Sequence, residues 1–355
     1  MNNIKIKRNI TKLLICGGGF KFYYLYGTIK YLYDINVLEN INEYIGISAG
    51  AILSLLFSIG YKPNELYKFF IEFNFEKLID PHIDNLLEKK GFDDGEVLKT
   101  AVHQFLINKN IDSEVTFEEL YKLTGKKFSC VASNITKNEL EILDDIKTPN
   151  MPIWKGILIT CALPLLFQPI IYNDNYLIDG GVFDNYPIEL FMNKNEDNLL
   201  GINLVAHCKE IDFNVDILNY MTKLFMISHH WKNINKTKKY QRCTIEIKTY
   251  DSTEIININI TLEEKNRRIL HGYDAAVNHF EKHEIEEETI NYFDSNNQED
   301  NQEDDQEENY DLIKELDEIE DEMIIMSLES KNNSNQINIT NEKILQKISE
   351  VNYII

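Results

Sequence analysis

The turn Gly46-x-Ser48-x-Gly50 is the feature of this sequence that most constrains its fold. An apolar run ending at Ile45 precedes it and an apolar segment beginning at Ala51 follows it, so the turn joins a predicted strand directly to a predicted helix. Positions two before and two after the serine must be small, because larger side chains would collide in so tight a turn. The Ser48 hydroxyl then projects beside a helix N-terminus, whose dipole favours negative charge. This geometry is typical of a nucleophilic serine, although the same residues also form ordinary turns.

A glycine-rich loop follows the first predicted strand. Lys12–Cys16 is a short apolar run typical of a buried parallel strand, and Gly17, Gly18 and Gly19 come directly after it. Consecutive glycines allow backbone N–H groups to approach a ligand oxygen closely. The loop lacks the Gly-Lys-Ser/Thr ending of a Walker loop, and the next strand ends in Ser48 where a dinucleotide site needs an acid. An oxyanion hole therefore fits better than a phosphate cradle, with a simple tight turn as the alternative.

Hydrophobic patterns predict strands and helices in alternation along the rest of the chain. Strands are predicted at Lys127–Ser133, Glu139–Leu143, Ile170–Tyr172, Tyr176–Ile178 and Leu199–Ala206, with strand-like alternation at Thr244–Ile260. Helices are predicted at Phe22–Leu38, Val97–Ile107, Pro152–Phe167 with a kink or stop at Pro164, Leu218–Arg242 and Leu262–Glu288. This alternation indicates an α/β fold around a mostly parallel sheet.

The segment Asp179-Gly180-Gly181 ends a predicted hairpin. An acid at a strand end followed by two glycines has room around it for a substrate. Taken alone, the tripeptide is more often a turn.

Charge is distributed unevenly along the chain. The formal net charge is −22, and residues 294–322 hold fifteen acids and one base. This balance argues against nucleic acid as a partner. Composition divides the chain into a globular domain, residues 1–290, and an acidic, largely disordered tail with short helices, residues 291–355. The tail is a candidate for partner binding or self-association, and docking onto the chain's own domain is equally compatible with its pattern. A short coiled-coil seam is predicted at Leu312, Leu316, Ile319, Met323 and Met326.

Cysteine use and hydropathy suggest where the protein works. The five cysteines have no metal-binding spacing, which favours a reducing compartment and predicts neither a metal nor a cofactor. The longest uncharged run, Gly156–Ile171, contains two prolines and falls short of the ~20 residues of a membrane span. We therefore expect an intracellular protein without signal peptide, soluble or peripherally bound to membranes. The basic segment Trp231–Arg242 is a candidate membrane contact, although a solvated basic face is commoner.

Taken together, these segments resemble the patatin-like phospholipases. The resemblance covers roughly residues 12–205 and depends on the order and spacing of several blocks. These blocks are the glycine loop Leu13–Lys21, the turn Gly46–Ala51, the central segments Thr116–Gly125 and Ala132–Thr136, and the segments Cys161–Phe167 and Asp179–Pro187. The sequence departs from the family at Phe22, where the family usually has glycine.

The resemblance implies a three-layer α/β/α fold and a metal-free lipid acyl hydrolase of phospholipase A type. It implies a two-residue dyad without histidine, in which Ser48 is the nucleophile and Asp179 the general base. The remaining implied site residues are the oxyanion donors Gly17, Gly18 and Gly19, the turn glycines Gly46 and Gly50, and the supporting residues Lys21, Gly180 and Gly181.

Two other functions remain open at this point. One is an α/β-hydrolase with a Ser-Asp-His triad, which would use one of four histidines. Such enzymes usually have several strands before the serine, whereas only one predicted strand–helix unit precedes Ser48 here. Those histidines are His207, His229, His230 and His271. A catalytically silent protein of the same fold, used for interactions, is favoured by Phe22 and the tail and opposed by Ser48, Asp179 and the glycine loop.

Overall fold

The structure, a computed structural model of the 355-residue chain, describes residues 8–72, 88–192, 198–206, 234–249 and 260–295, with side chains in the last range up to residue 283. The strands are β1 Lys12–Ile15, β2 Glu43–Gly46, β3 Gly91–Asp93, β4 Lys127–Asn134, β5 Glu139–Leu143, β6 Leu165–Phe167, β7 Ile170–Tyr172, β8 Asn175–Asp179, β9 Leu199–Ala206 and β10 Thr244–Thr249. The α-helices are α1 Phe22–Asp34, α2 Ala49–Ser58, α3 Pro63–Glu72, α4 Glu96–Asn108, α5 Phe117–Thr124, α6 Ile153–Thr160 and α7 Leu262–Ser295.

An eight-stranded sheet forms the centre of the described fold. Its strand order is β10-β9-β1-β2-β4-β8-β7, and β5 pairs with β4 outside this path. The first five strands of this order are parallel to one another, whereas β5, β8 and β7 pair antiparallel. A mostly parallel sheet with helices between its strands confirms the predicted α/β class.

Helices cover both faces of this sheet. Leu13, Leu14 and Ile15 are consecutive in β1 and all fully buried, and consecutive strand residues point to opposite faces. Helices α1, α3 and α7 contribute to one apolar cluster, α4, α5 and α6 to a second, and α2 to both. This is the layered arrangement expected from the sequence, and it buries strand residues on both sides.

The predicted helix Pro152–Phe167 ends earlier than expected. Helix α6 stops at Thr160, and Leu165–Phe167 forms the strand β6. Pro164 lacks a backbone N–H and disfavours the helical conformation in the residue before it, so a helix cannot continue through Leu163. The prediction was therefore wrong beyond Thr160, and that end of the helix lies at the candidate site.

Two other helix ends also differ from the prediction. Helix α1 ends at Asp34 instead of Leu38, because Asn36 takes a left-handed conformation with φ of 60° and a short 3-10 turn follows. Helix α7 extends to Ser295, seven residues beyond the predicted end.

Some predicted features lie outside the described residues. These are Trp231, residues 250–259 and the acidic tail beyond residue 295, so the division into a domain and a tail stays a prediction. Within the predicted basic helix, residues 234–239 are helical. Lys236 there forms ion pairs with Asp184 and Glu189, so its charge is directed at the protein. Across the described residues, no helix combines the length and apolarity that crossing a bilayer requires.

Candidate active site

Ser48 occupies the tight turn predicted between β2 and α2. It caps the N-terminus of α2 with φ of 52° and ψ of −127°, a strained conformation for a residue with a side chain. A Cβ on Gly46 would overlap the Ala51 backbone, and a Cβ on Gly50 would overlap the carbonyl oxygen of Cys16. Both glycines are therefore required by close packing, as the sequence predicts, and the half-buried Ser48 side chain remains accessible.

Replacing Gly50 with alanine is expected to destabilise the protein strongly. The new methyl would press on two backbone carbonyls, those of Ile15 and Cys16, which cannot rotate away as a side chain can. We expect the free energy of unfolding, measured by urea denaturation, to fall by at least ~3 kcal/mol. Gly60→Ala is the control, since nothing lies within 4 Å of its Cβ position and its left-handed backbone should cost only about 1 kcal/mol. Equal losses in the two variants would contradict this packing argument.

The glycine loop lies beside the Ser48 turn because β1 and β2 are adjacent parallel strands. A Cβ on Gly17 would stand 3.3 Å from the Cβ of Ser48. Among the described residues, the N–H groups of Gly17, Gly18 and Gly19 have no hydrogen-bond acceptor. Backbone donors without an acceptor, close to a serine side chain, are what an oxyanion hole requires.

Asp179 lies at the end of β8 and is 4% exposed. Its backbone N–H donates to the carbonyl oxygen of Ala162 at 3.0 Å, and its Oδ1 accepts a hydrogen bond from the Gly181 N–H at 2.7 Å. Burial raises the pKa of the Asp179 carboxyl to about 7, opposed by the nearby Ser48 side chain and by the hydrogen bond from the Gly181 N–H. A carboxylate with a pKa near neutrality is suited to accept a proton at physiological pH.

The Ser48 side chain lies close enough to the Asp179 carboxyl to lower its pKa. The structure thus brings together two residues that are 131 positions apart in the sequence. Cys161, directly after α6, lies close enough to Ser48 and Asp179 for both to affect its pKa. The pKa of the Cys161 thiol is raised well above its usual value, mainly by burial and further by the neighbouring Asp179 carboxylate. Cys161 is therefore a neutral thiol beside the serine.

Three further side chains hold the site together without having been assigned by the sequence. Thr160 Oγ1 accepts a hydrogen bond from the Ser48 N–H at 3.1 Å and donates one to the Val131 carbonyl at 2.6 Å. Ser133 Oγ donates to the Gly180 carbonyl at 3.2 Å. Asn185 Nδ2 donates to the Gly17 carbonyl at 2.9 Å. All three lie in or beside the sequence blocks noted above, but polar residues near a turn give no signal of which distant backbone group they contact.

The predicted supporting residues are packed around these loops. Lys21 is 3% exposed, and its N–H donates to the Gly18 carbonyl at 2.9 Å. A Cβ on Gly180 would overlap the Val131 carbonyl, and one on Gly181 would stand 3.0 Å from Asp179 Oδ1. Phe22 is buried, and its ring centroid lies 5.0 Å from that of Phe70 in α3.

Of the four histidines proposed for the alternative triad, the structure describes His271. His271 Nε2 lies 2.9 Å from the Lys248 carbonyl oxygen, and its ring packs against Tyr24. The other three, His207, His229 and His230, lie outside the described residues. Within the described part of the chain, no three His, Cys, Asp or Glu side chains are grouped so that they could hold a metal ion.

Sequence comparison relates the chain to proteins of known family. A model of the family described as patatin-like phospholipase matches residues 13–192. Probable lipid hydrolase 463L of Invertebrate iridescent virus 6 is 34% identical over 184 residues, which are 50% of this chain and 62% of that protein. An uncharacterized protein of Acanthamoeba polyphaga mimivirus is 26% identical over 269 residues, or 72% of this chain and 89% of that protein. The chain thus matches less than two thirds of the length of the viral lipid hydrolase.

A structural comparison gives the same fold. The crystal structure of VipD from Legionella pneumophila superposes with a TM-score of 0.54, covering 78% of this chain and 67% of VipD. The two sequences are 19% identical in this superposition, so the likeness concerns the fold alone.

Proposed function

Because the chain belongs to the patatin-like phospholipase family, we propose that it is a lipid acyl hydrolase of phospholipase A type that works through a Ser48–Asp179 dyad. The observation that supports this most directly is the proximity of these two side chains, in which Ser48 lowers the pKa of the buried Asp179 carboxyl, next to a glycine loop whose N–H groups have no acceptor among the described residues. The viral relative named as a probable lipid hydrolase supports the substrate class.

In the proposed first step, Ser48 Oγ attacks the carbonyl carbon of an acyl ester. Asp179 takes the hydroxyl proton as the new C–O bond forms, and the carbonyl oxygen becomes an oxyanion. The N–H groups of Gly17, Gly18 and Gly19 donate hydrogen bonds to that oxygen, and one such donor is typically worth roughly 3–4 kcal/mol of barrier. The intermediate collapses when the C–O bond to the leaving alcohol breaks and Asp179 returns the proton to that alcohol, leaving an acyl-serine.

In the second step, water replaces the alcohol. Asp179 accepts a proton from the water as it attacks the acyl carbon, and the same oxyanion donors stabilise the second tetrahedral intermediate. Collapse expels Ser48 Oγ, which recovers its proton from Asp179, and fatty acid leaves. The dyad needs no histidine because the buried Asp179 has a pKa of about 7, in the range where histidine usually acts.

The proposal is tested by incubating the purified full-length protein with phospholipid vesicles and, separately, with a triacylglycerol emulsion. We expect free fatty acid and lysophospholipid, detected by mass spectrometry, and loss of both after treatment with an alkyl fluorophosphonate. The peptide that contains Ser48 should carry the phosphonyl group. A folded protein that releases no fatty acid from either substrate, and is not labelled, would instead support the silent interaction protein.

Two partner interactions remain predictions. The basic segment Trp231–Arg242 is predicted to contact a membrane surface. Lys236 is not expected to take part in that contact, because it forms ion pairs with Asp184 and Glu189. The acidic tail is predicted to bind a protein partner or a second copy of the chain. Vesicle binding measured with and without charge-reversing substitutions at Lys238 and Arg242 would test the first of these.

A further inference from the structure

Asn185 links the glycine loop to the turn that carries Asp179. Its Nδ2 donates a hydrogen bond to the carbonyl oxygen of Gly17 at 2.9 Å, across 168 residues of sequence. A Cβ on Gly17 would overlap Asn185 Oδ1, and a Cβ on Gly181 would stand 2.8 Å from it. The carboxamide therefore fills the space between two glycine turns, one from each half of the site.

The residues on either side hold Asn185 in place. The Asp184 N–H donates to the Gly180 carbonyl at 3.1 Å, and Lys236 pairs with Asp184 and donates to the Tyr186 carbonyl at 3.1 Å. Tyr186 is fully buried, and its hydroxyl is 2.8 Å from Thr244 Oγ1 in β10. Asn185 thus extends from a backbone anchored to the sheet, which fixes where its carboxamide can reach.

The bond to Gly17 has a consequence for the next peptide group. The carbonyl of Gly17 and the N–H of Gly18 belong to one planar trans peptide and point in opposite directions. Fixing the carbonyl therefore fixes the direction of the Gly18 N–H. Between two glycines such a peptide would otherwise rotate easily, because glycine occupies most backbone conformations at little cost. Donors stabilise an oxyanion strongly only when they are already aimed at it.

We propose that Asn185 is a positioning residue for the oxyanion hole, holding the Gly17–Gly18 peptide so that the Gly18 N–H is aimed at the reacting carbonyl oxygen. This rests on the proposed acyl-hydrolase function. Asn185 touches no reacting atom, so its effect is on the rate of the chemical steps and not on substrate binding.

The test compares Asn185→Asp and Asn185→Ala with the wild type. The aspartate has the same shape but cannot donate to the Gly17 carbonyl, and the alanine removes the contact altogether. We expect kcat to fall roughly 10²-fold in both, with KM changed less than about threefold, since losing one oxyanion donor typically costs 10²–10³ in kcat. Inactivation by an alkyl fluorophosphonate should slow by a similar factor, because its phosphoryl oxygen needs the same donors.

Asn203→Ala is the matched control. Asn203 is fully buried, and its Nδ2 donates a hydrogen bond to Thr237 Oγ1 at 2.9 Å, a partner outside the glycine loop and the Asp179 turn. This variant should lose thermal stability while its kcat stays within about threefold of the wild type, as expected of a purely structural bond. If the Asn185 variants keep wild-type kcat, or lose it only in proportion to the unfolded fraction, the positioning role is wrong.

A second measurement does not depend on turnover. In protein labelled with ¹⁵N-glycine, the amides of Gly17 and Gly18 should become more mobile on the nanosecond scale in Asn185→Ala, and remain rigid in Asn203→Ala. Unchanged relaxation of these amides in Asn185→Ala would overturn the proposal even in an active enzyme. A wild type that hydrolyses no lipid, with the mobility change still present, would instead count against the proposed function alone.

Discussion

Replacing Ser48 with alanine is expected to abolish lipid hydrolysis. The change removes the nucleophile and leaves the turn intact, because alanine is smaller than serine and the Ser48 N–H keeps its bond to Thr160 Oγ1. Losing the serine of a serine hydrolase lowers kcat by roughly 10⁶-fold. Fatty-acid release from vesicles, followed by mass spectrometry, should therefore fall by about this factor, and fluorophosphonate labelling should disappear.

Ser58→Ala is the control for this prediction. Ser58 lies at the end of the same helix, is 2% exposed, and donates its hydroxyl to the Leu55 carbonyl at 2.8 Å. We expect this variant to keep full activity. A Ser48→Ala protein that releases as much fatty acid as the wild type would show that the hydrolysis comes from another residue or from a contaminating enzyme.

Replacing Asp179 with asparagine is expected to lower kcat by roughly 10⁴-fold, at the upper end of the effect of a general base. Asparagine has the same shape and keeps an oxygen to accept the Gly181 N–H, but its amide does not take the Ser48 proton. In the wild type, kcat/KM should fall as the pH drops below about 7, because Asp179 is then protonated. The residual activity of Asp179→Asn should lack this inflection.

The same substitution is expected to stabilise the protein. The folded pKa of Asp179, about 7, lies above the ordinary value of 3.8, so between these values the folded state binds a proton that the unfolded state has lost. Wild-type stability therefore decreases as pH rises from about 4 to 7 and is constant above. Asparagine has no charge, so folding of Asp179→Asn does not require a carboxylate to be buried. Its free energy of unfolding should exceed that of the wild type by up to about 4 kcal/mol above pH 7, and the difference should vanish near pH 4.

Asp144→Asn separates the two effects of the Asp179 substitution. Asp144 is also buried, but it pairs with Lys127 and accepts hydrogen bonds from the Ile146 and Lys147 N–H groups. Its replacement should reduce stability in urea denaturation and leave kcat unchanged. If Asp179→Asn retained turnover while replacement of a histidine abolished it, a triad would be the better account of the site.

The sequence predicts the parts of the site that depend on local geometry. The Ser48 turn and the glycine loop are visible because a tight turn and a close backbone approach each demand glycine at fixed positions. Neighbouring parallel strands then bring the two turns together, and the resemblance to a known family identifies Asp179 as their partner. The strand positions followed from apolar runs bounded by turn residues, and β9 was predicted with its observed ends.

The sequence does not predict contacts that depend on how distant segments pack. Thr160 and Asn185 each bond a backbone group more than 100 residues away, and their immediate neighbours in sequence are compatible with many other partners. The raised pKa of Asp179 likewise depends on burial that only the folded chain creates. Pro164 in the sequence indicates that α6 must end before it. The strand that follows, β6, is not predicted from the sequence, because it depends on parallel pairing with the distant strand β3.

The strand order has a consequence for the protein during its own synthesis. β1, which carries the glycine loop, lies between β2 and β9, and β9 is translated more than 150 residues after the Ser48 turn. Parallel pairing of such distant segments is slow and comes late, because the loop must close before any contact is gained. A growing chain therefore contains its serine long before the glycine loop has a strand on both sides. We expect hydrolytic activity to begin only after residue 206 has left the ribosome, because the glycine loop is held from both sides only once β9 has paired with β1.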